Sequence, residues 1–425
     1  MVDKHIIIIG AGFGGMTCAK KLGNKEGVRV TIVDRKNHHL FQPLLYQVAT
    51  STLAAPDISR SIRSIFDKYN NIDVVYDHIE RVDLAGKVLH ASSGLSLSYD
   101  YLVVATGVKT SFFGKAEWEK HVYCLKSLDD AFSIREKLLR SLEVADRGTE
   151  PQNIAKLSTT VIIGGGPTGV ELAGAFSDLV KRTMKRGFKN YDTSQQRIIL
   201  IEAQDQLLGA FPRDQAEYAV ERLEQRGVEV KLNSMVSHID EGIVELKSGE
   251  IIEAGVIIWG AGVEATPITK TLGVSLNRAG LVEVEKDLSI PGNPEAFVIG
   301  DAAAVKQANG KLVPGQAPAA MQEGGFVATI IKNELVSGIG KRPDFDYFDK
   351  GFMAIVGKNS AVVNFRDVLK VKGFLAWMMW LFIHIMFLTN FRSRIGVLIS
   401  WCFSYLADKP GARVVTAASD DEWKA

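Results

Sequence analysis

The period of the hydrophobic pattern changes abruptly near the start of the chain. Four isoleucines at 6–9 form an unbroken β-branched run, a glycine-rich turn follows, and "FGGMTCAKKL" then spaces its apolar residues as a helix. This predicts strand, turn, helix. A second strand, "VRVTIVDR" (28–35), comes next. The same succession recurs later: "TTVIIGGGPTGVELAGAF" (159–176) is strand, glycine turn and helix, and "RIILIEA" (197–203) is its second strand. Two further strands, "YLVVATGVK" (101–109) and "VIIWGAGVEATP" (256–267), each end in a small-residue and glycine turn at a comparable distance behind their glycine motif. The chain therefore carries two related α/β units.

The turns have a chemical reading. Gly10, Gly12 and Gly15 fit G-x-G-x-x-G. The first glycine permits the tight turn, the second lets a pyrophosphate approach the backbone, and the third lets helix pack close on strand. The helix start offers unpaired N–H groups and partial positive charge to phosphates. Asp34 closes the second strand, where a carboxylate can accept hydrogen bonds from both ribose hydroxyls of an ADP group. In the second unit Gly164, Gly166 and Gly169 play the same parts, and Glu202 closes the strand. An acid there without an adjacent arginine suits a free 2′-hydroxyl and repels a 2′-phosphate, which favours NADH over NADPH. Two dinucleotide sites in one chain suggest electron transfer between two cofactors.

Composition narrows the class. The 425 residues are 46% hydrophobic and 23% charged, which is globular and large enough for two or three domains. Fifty basic against 49 acidic residues give no electrostatic footprint for nucleic acid. The first apolar run is too short for a secretory signal, so a cytoplasmic protein beginning directly on a strand is expected. Cys18, Cys124 and Cys402 are far apart, with no zinc spacing and no close pair. His38 and His39 lack a third ligand pattern, and no metal site is expected.

Several motifs taken in order resemble the two-dinucleotide-binding-domain flavoproteins of the glutathione-reductase-like fold. They are the glycine turn with Asp34, "ATG" at Ala105, Thr106 and Gly107, the second glycine motif, and "FVIGDAAAV" (297–305) with Gly300 and Asp301. The resemblance implies FAD in the first unit and NAD(P)H in the second, with Asp301 at the ribityl–phosphate region. Within that group the chain is similar to type II NADH dehydrogenases, the single-chain NADH:quinone oxidoreductases. The similarity rests on "HHLFQPLLYQVAT" (38–50), "VPGQAPAAMQEGGFVA" (313–328) and "GFLAWMMWLFIHIMFLTNFRSR" (373–394). It implies that Phe13, Gly14, Arg35, Gln42, Leu44, Leu45 and Ile79 join the FAD site. Pro167, Thr168, Glu171 and Gly262 join the NADH site. Tyr46, Gln47, Gln316, Pro318, Ala319 and Gln322 would form the quinone side. Aligned on Gln322, the family's first quinone-side glutamine is replaced by Pro318, and whether Gln316 substitutes is open. Glu171, in the first turn of its helix, and Gln322 are the candidate catalytic residues.

The resemblance implies two half-reactions: hydride from NADH to the flavin, then two-electron reduction of a membrane quinone without proton pumping. Disulfide reductases and sulfide:quinone oxidoreductases of this fold need paired cysteines, which this chain lacks. The expected domains are 1–112 and 263–335 for FAD, 113–262 for NADH, and a membrane-docking region over 336–425. The apolar run 374–389 would make a helix of about 24 Å, short for a hydrocarbon core of about 30 Å. Basic residues flank the apolar runs on both ends: Arg366, Lys370, Lys372, Arg392, Arg394, Lys409 and Arg413. Amphipathic helices lying on the cytoplasmic face of the cell membrane fit better than a span, with Trp377, Trp380 and Trp401 dipping into lipid over 373–407 and arginines on headgroups. The same apolar surface leaves a homodimer open, and 418–425 reads as a mobile tail. Two rivals remain: a soluble NADH-dependent reductase of rubredoxin or ferredoxin, and an NADH-binding flavoprotein sensor.

Overall fold

The computed structural model describes residues 3–148, 151–180, 187–188, 190–338, 340–407 and 414. Lys409, Arg413 and the 418–425 tail lie outside the described residues. The chain divides into two compact units. One holds Met1–Leu40, Ser59–Lys109 and Val263–Lys350, and the other holds Phe41–Ile58, Thr110–Gly262 and Gly351–Ala425.

The first unit is built on a six-stranded sheet. Its order is Ser289–Ile290, Asn293–Val298, Tyr101–Val104, Lys4–Ile9, Val28–Asp34, Ile72–Tyr76. All pairs are parallel except the first. Ile6, Ile7 and Ile8 are wholly buried, as are Leu102, Val103 and Val104, in a core that also takes in Ile79, Val82 and Leu89 from a separate antiparallel sheet. Helix Phe13–Leu22 packs on the long helix Ala317–Ser337 through a glycine contact. A Cβ on Gly324 would strike the Gly14 carbonyl, so the two backbones meet only because both residues lack side chains.

The second unit repeats the plan with four parallel strands ordered Val228–Lys231, Arg197–Ile201, Thr159–Ile163, Val256–Trp259. A separate antiparallel sheet, Phe352–Ile355, Ala361–Phe365 and Leu369–Gly373, leads into helices Phe374–Phe387 and Phe391–Ala407. The α/β class with two dinucleotide-binding sheets and C-terminal helices agrees with the sequence reading. Segment 41–58, placed with the first unit by sequence order, packs in the second, against helices Leu128–Arg147, Pro167–Asp178 and Phe391–Ala407.

Candidate functional site: two dinucleotide cradles and a buried polar cluster

In the first unit Gly10 has φ +99°, and a Cβ there would lie 2.5 Å from the Ala105 carbonyl oxygen. Only glycine makes this turn. A Cβ on Gly15 would collide with the Gly10 carbonyl, whereas one on Gly12 meets nothing within 4 Å. The first and third glycines close the turn and the second opens onto the helix start, as phosphate binding requires. Asp34 is held with both oxygens engaged: Ala11 N–H donates to Oδ2 and Lys36 N–H to Oδ1, each at 2.7 Å. Burial raises its pKa, and these two N–H groups act against that rise.

The second unit reproduces this atom for atom. Gly164 has φ +111° with a Cβ position 2.8 Å from the Gly260 carbonyl carbon, Gly169 abuts the Gly164 carbonyl, and Gly166 is open. Gly165 N–H donates to Glu202 Oε2 at 2.6 Å and Gln204 N–H to Oε1 at 2.8 Å. Pro167 begins the helix, where its missing N–H costs no bond. Gly262, at φ +85°, lies against the Phe113 ring.

The remaining FAD candidates divide. Phe13, Gly14, Arg35, Ile79, Ala105, Thr106, Gly107, Gly300 and Asp301 belong to the first unit, and Gln42, Leu44 and Leu45 to the second, which also holds the quinone-side candidates Tyr46 and Gln47. Phe13 meets His39 edge-on at 5.3 Å, and His39 bonds the Ala11 carbonyl oxygen at 2.8 Å. Burial lowers the His39 pKa to about 4, so the ring is neutral. Thr266 donates to Thr106 Oγ1 at 2.8 Å. Leu44 and Leu45 are core residues, 0% and 1% exposed.

On the expected quinone side, Gln322 clasps Phe348. Its Nε2 donates to the Phe348 carbonyl at 2.9 Å, and its Oε1 accepts the Phe348 N–H at 3.0 Å. Gln316 precedes helix Ala317–Ser337, and its buried Nε2 has no hydrogen-bond partner among the described residues. Pro318 and Ala319 occupy that helix's first turn. Sequence reasoning passed over Glu323. It is 2% exposed, accepts the Gly300 N–H at 2.5 Å, and is raised to about 8 by burial, with Asp301 adding to the rise. The one available signal was an acid on the apolar side of a helix, beside the glutamine that drew attention.

Glu171 is the fifth residue of its helix, past the first turn. The helix dipole therefore does not account for it. The side chain keeps some accessible surface. Its surroundings nevertheless raise its pKa to about 8, by burial above all. Ile355 N–H, 3.4 Å from Oε1, and the Trp380 indole act against the rise. Among the described residues the indole Nε1 makes no hydrogen bond of normal geometry. Trp380 stacks on His384 at 3.8 Å and lies 6.4 Å from the Tyr46 ring.

The C-terminal helices correct one expectation. Trp377, Trp380 and Trp401 face inward, 7%, 0% and 3% exposed. Their ring area packs against His384, Tyr405 and one another, and Trp401 N–H donates to Gln47 Oε1 at 2.6 Å. The outward stripes are instead Phe374, Met378, Phe382 and Met386 on one helix and Phe391, Ile395, Leu398, Ile399 and Phe403 on the other. Arg394 donates to the carbonyls of Leu388 and Met386, closing the first helix's C-terminal end. No helix among the described residues is long and apolar enough to cross a membrane.

Two sheets, each with a glycine turn and an acid pinned by backbone N–H groups, define a pyridine-nucleotide oxidoreductase. The chain belongs to the pyridine nucleotide-disulphide oxidoreductase family, whose profile matches residues 4–324. Its sequence relatives are more particular. The chain is 38% identical to the type II NADH:quinone oxidoreductase Ndh of Mycobacterium tuberculosis, covering 97% of this chain and 90% of the relative. It is 36% identical to NdhA of the same organism, covering 97% and 89%. The resemblance to type II NADH dehydrogenases is thereby borne out. The fold is also that of NDH2 from Plasmodium falciparum solved in complex with NADH, with a TM-score of 0.90 at 21% identity, covering 98% of this chain and 100% of that one.

Proposed function

We propose that the protein is an FAD-dependent NADH:quinone oxidoreductase that works on the membrane surface without pumping protons. The observation that carries this is the duplicated cradle in a chain with no cysteine pair: Cys18, Cys124 and Cys402 are all free thiols, one buried, one half-buried and one exposed. Electrons then leave the flavin directly for a small acceptor.

FAD fits the first unit. Gly10, Gly12 and Gly15 would admit its pyrophosphate, Asp34 its ribose hydroxyls, and Gly300 and Asp301 its ribityl–phosphate region. Bound there, FAD supplies two-electron chemistry between NADH and a quinone. NADH fits the second unit. Gly164, Gly166 and Gly169 receive its pyrophosphate, and Glu202 receives its ribose. Both Glu202 oxygens already hold N–H groups, which fixes the carboxylate against a 2′-phosphate. Glu171, protonated at neutral pH by its pKa of about 8, can orient the nicotinamide amide or hold a proton beside it. Gln316, with its unpartnered buried Nε2, is better suited to a quinone carbonyl than Gln322, whose amide is engaged with Phe348.

Docking is assigned to the apolar stripes of the last two helices, whose exposed phenylalanines, methionines and leucines suit a bilayer's acyl boundary on the cytoplasmic face. The same stripes meeting a second copy of the chain are the competing arrangement. Steady-state NADH oxidation tests the reading. One quinone should be reduced per NADH, in preference to rubredoxin or ferredoxin. Faster reduction of either protein acceptor would contradict it.

A further inference from the structure

We propose that Trp401 sets the direction of a hydrogen-bond chain that presents the Tyr46 hydroxyl as a donor to a quinone carbonyl oxygen. The inference rests on the reading of the protein as a quinone reductase. The chain runs through three buried side chains of the second unit: Trp401 N–H to Gln47 Oε1 at 2.6 Å, then Gln47 Nε2–H to the Tyr46 hydroxyl at 2.8 Å. Tyr46, Gln47 and Trp401 are 4%, 1% and 3% exposed.

Direction follows from chemistry. An indole nitrogen can only donate. It therefore must face the amide oxygen of Gln47, which turns the amide nitrogen toward Tyr46. The Tyr46 oxygen receives that N–H, and its own proton must point elsewhere. Among the described residues no oxygen accepts that proton. A buried hydroxyl with an unplaced proton seeks an acceptor. Gln47 has no freedom to flip while Trp401 holds it, so the donor is preorganised. A donor of this kind stabilises the negative charge that grows on a quinone oxygen during reduction. Tyr46 would then touch the substrate, while Gln47 and Trp401 are positioning residues that act through it. Because Trp401 lies on a helix whose outer face is Leu398, Ile399 and Phe403, the same residue links the docking surface to this donor.

A double-mutant cycle tests the proposal on detergent-purified holoenzyme with a short-chain quinone. Two rates are read, flavin bleaching by NADH and flavin recovery with quinone, together with the Kd for the quinone from titration of the oxidised protein. Tyr46→Phe is expected to lower kcat/KM for quinone about tenfold, the scale of one lost hydrogen bond, while bleaching by NADH stays within about twofold. Trp401→Phe is expected to lose severalfold on the same parameter, and Y46F/W401F no more than Y46F alone. If Trp401→Phe does not fold, Gln47→Met takes its place in the cycle. Unchanged quinone kinetics in Y46F, or effects that multiply in the double variant, overturn the chain. Wild-type protein that bleaches with NADH and never recovers with quinone overturns the functional reading itself, and this inference with it.

Discussion

Glu171 and Glu323 are the residues whose protonation the fold alters most usefully. Both sit near 8, above the ordinary glutamate value of 4.5, because burial penalises the carboxylate. A raised folded-state value means that the native protein binds more protons than the unfolded chain between 4.5 and 8. Stability from these two groups is therefore complete below pH 4.5 and is lost as pH rises through 8. Glu171→Gln removes the ionisation. The variant should gain on the wild type by on the order of 2 kcal/mol between pH 5 and pH 8, discounting for the water that reaches the side chain. Thermal midpoints at the two pH values measure this, and a constant difference would contradict the assignment. At Glu202 the expected outcome concerns specificity: kcat/KM for NADPH at least about tenfold below that for NADH, since a phosphate dianion would meet a fixed carboxylate. Asp34, Glu202 and the glycines were legible in the sequence because the turn dictates residue type at fixed spacing. Glu323 and Trp401 were not, because burial and partners come from distant segments, 23 and 354 residues away.

At the scale of elements, apolar runs gave the strands but not the faces of the final helices. Phe374–Phe387 is apolar nearly all round, so no periodicity marks which side packs. The tryptophans turn inward because Trp401 finds a buried acceptor in Gln47 and Trp380 a ring in His384, which lipid would not offer. Two outcomes follow. Phe382→Asp with Phe403→Asp, both at exposed positions, should leave the fold intact and abolish co-sedimentation with anionic vesicles. Retained binding would remove these stripes from the docking surface. Trp380→Ala should cost about 3–5 kcal/mol in chemical denaturation, as expected for a fully buried indole.

For the whole molecule, the repeated strand–turn–helix pattern was enough to foresee two dinucleotide units. It did not reveal that segment 41–58 packs with the second unit rather than with the strands that flank it in sequence. Pairing of this short segment with helices far along the chain, the last of them Phe391–Ala407, leaves no local trace. The central claim is that one chain joins an NADH site and a quinone site through one flavin. The most direct measurement is anaerobic absorbance of the purified protein. NADH should bleach the flavin band at once, and a quinone added afterwards should restore it with one equivalent reduced per flavin. Bleaching without recovery would leave an NADH-reducible flavoprotein whose acceptor is something other than a quinone, contradicting the account.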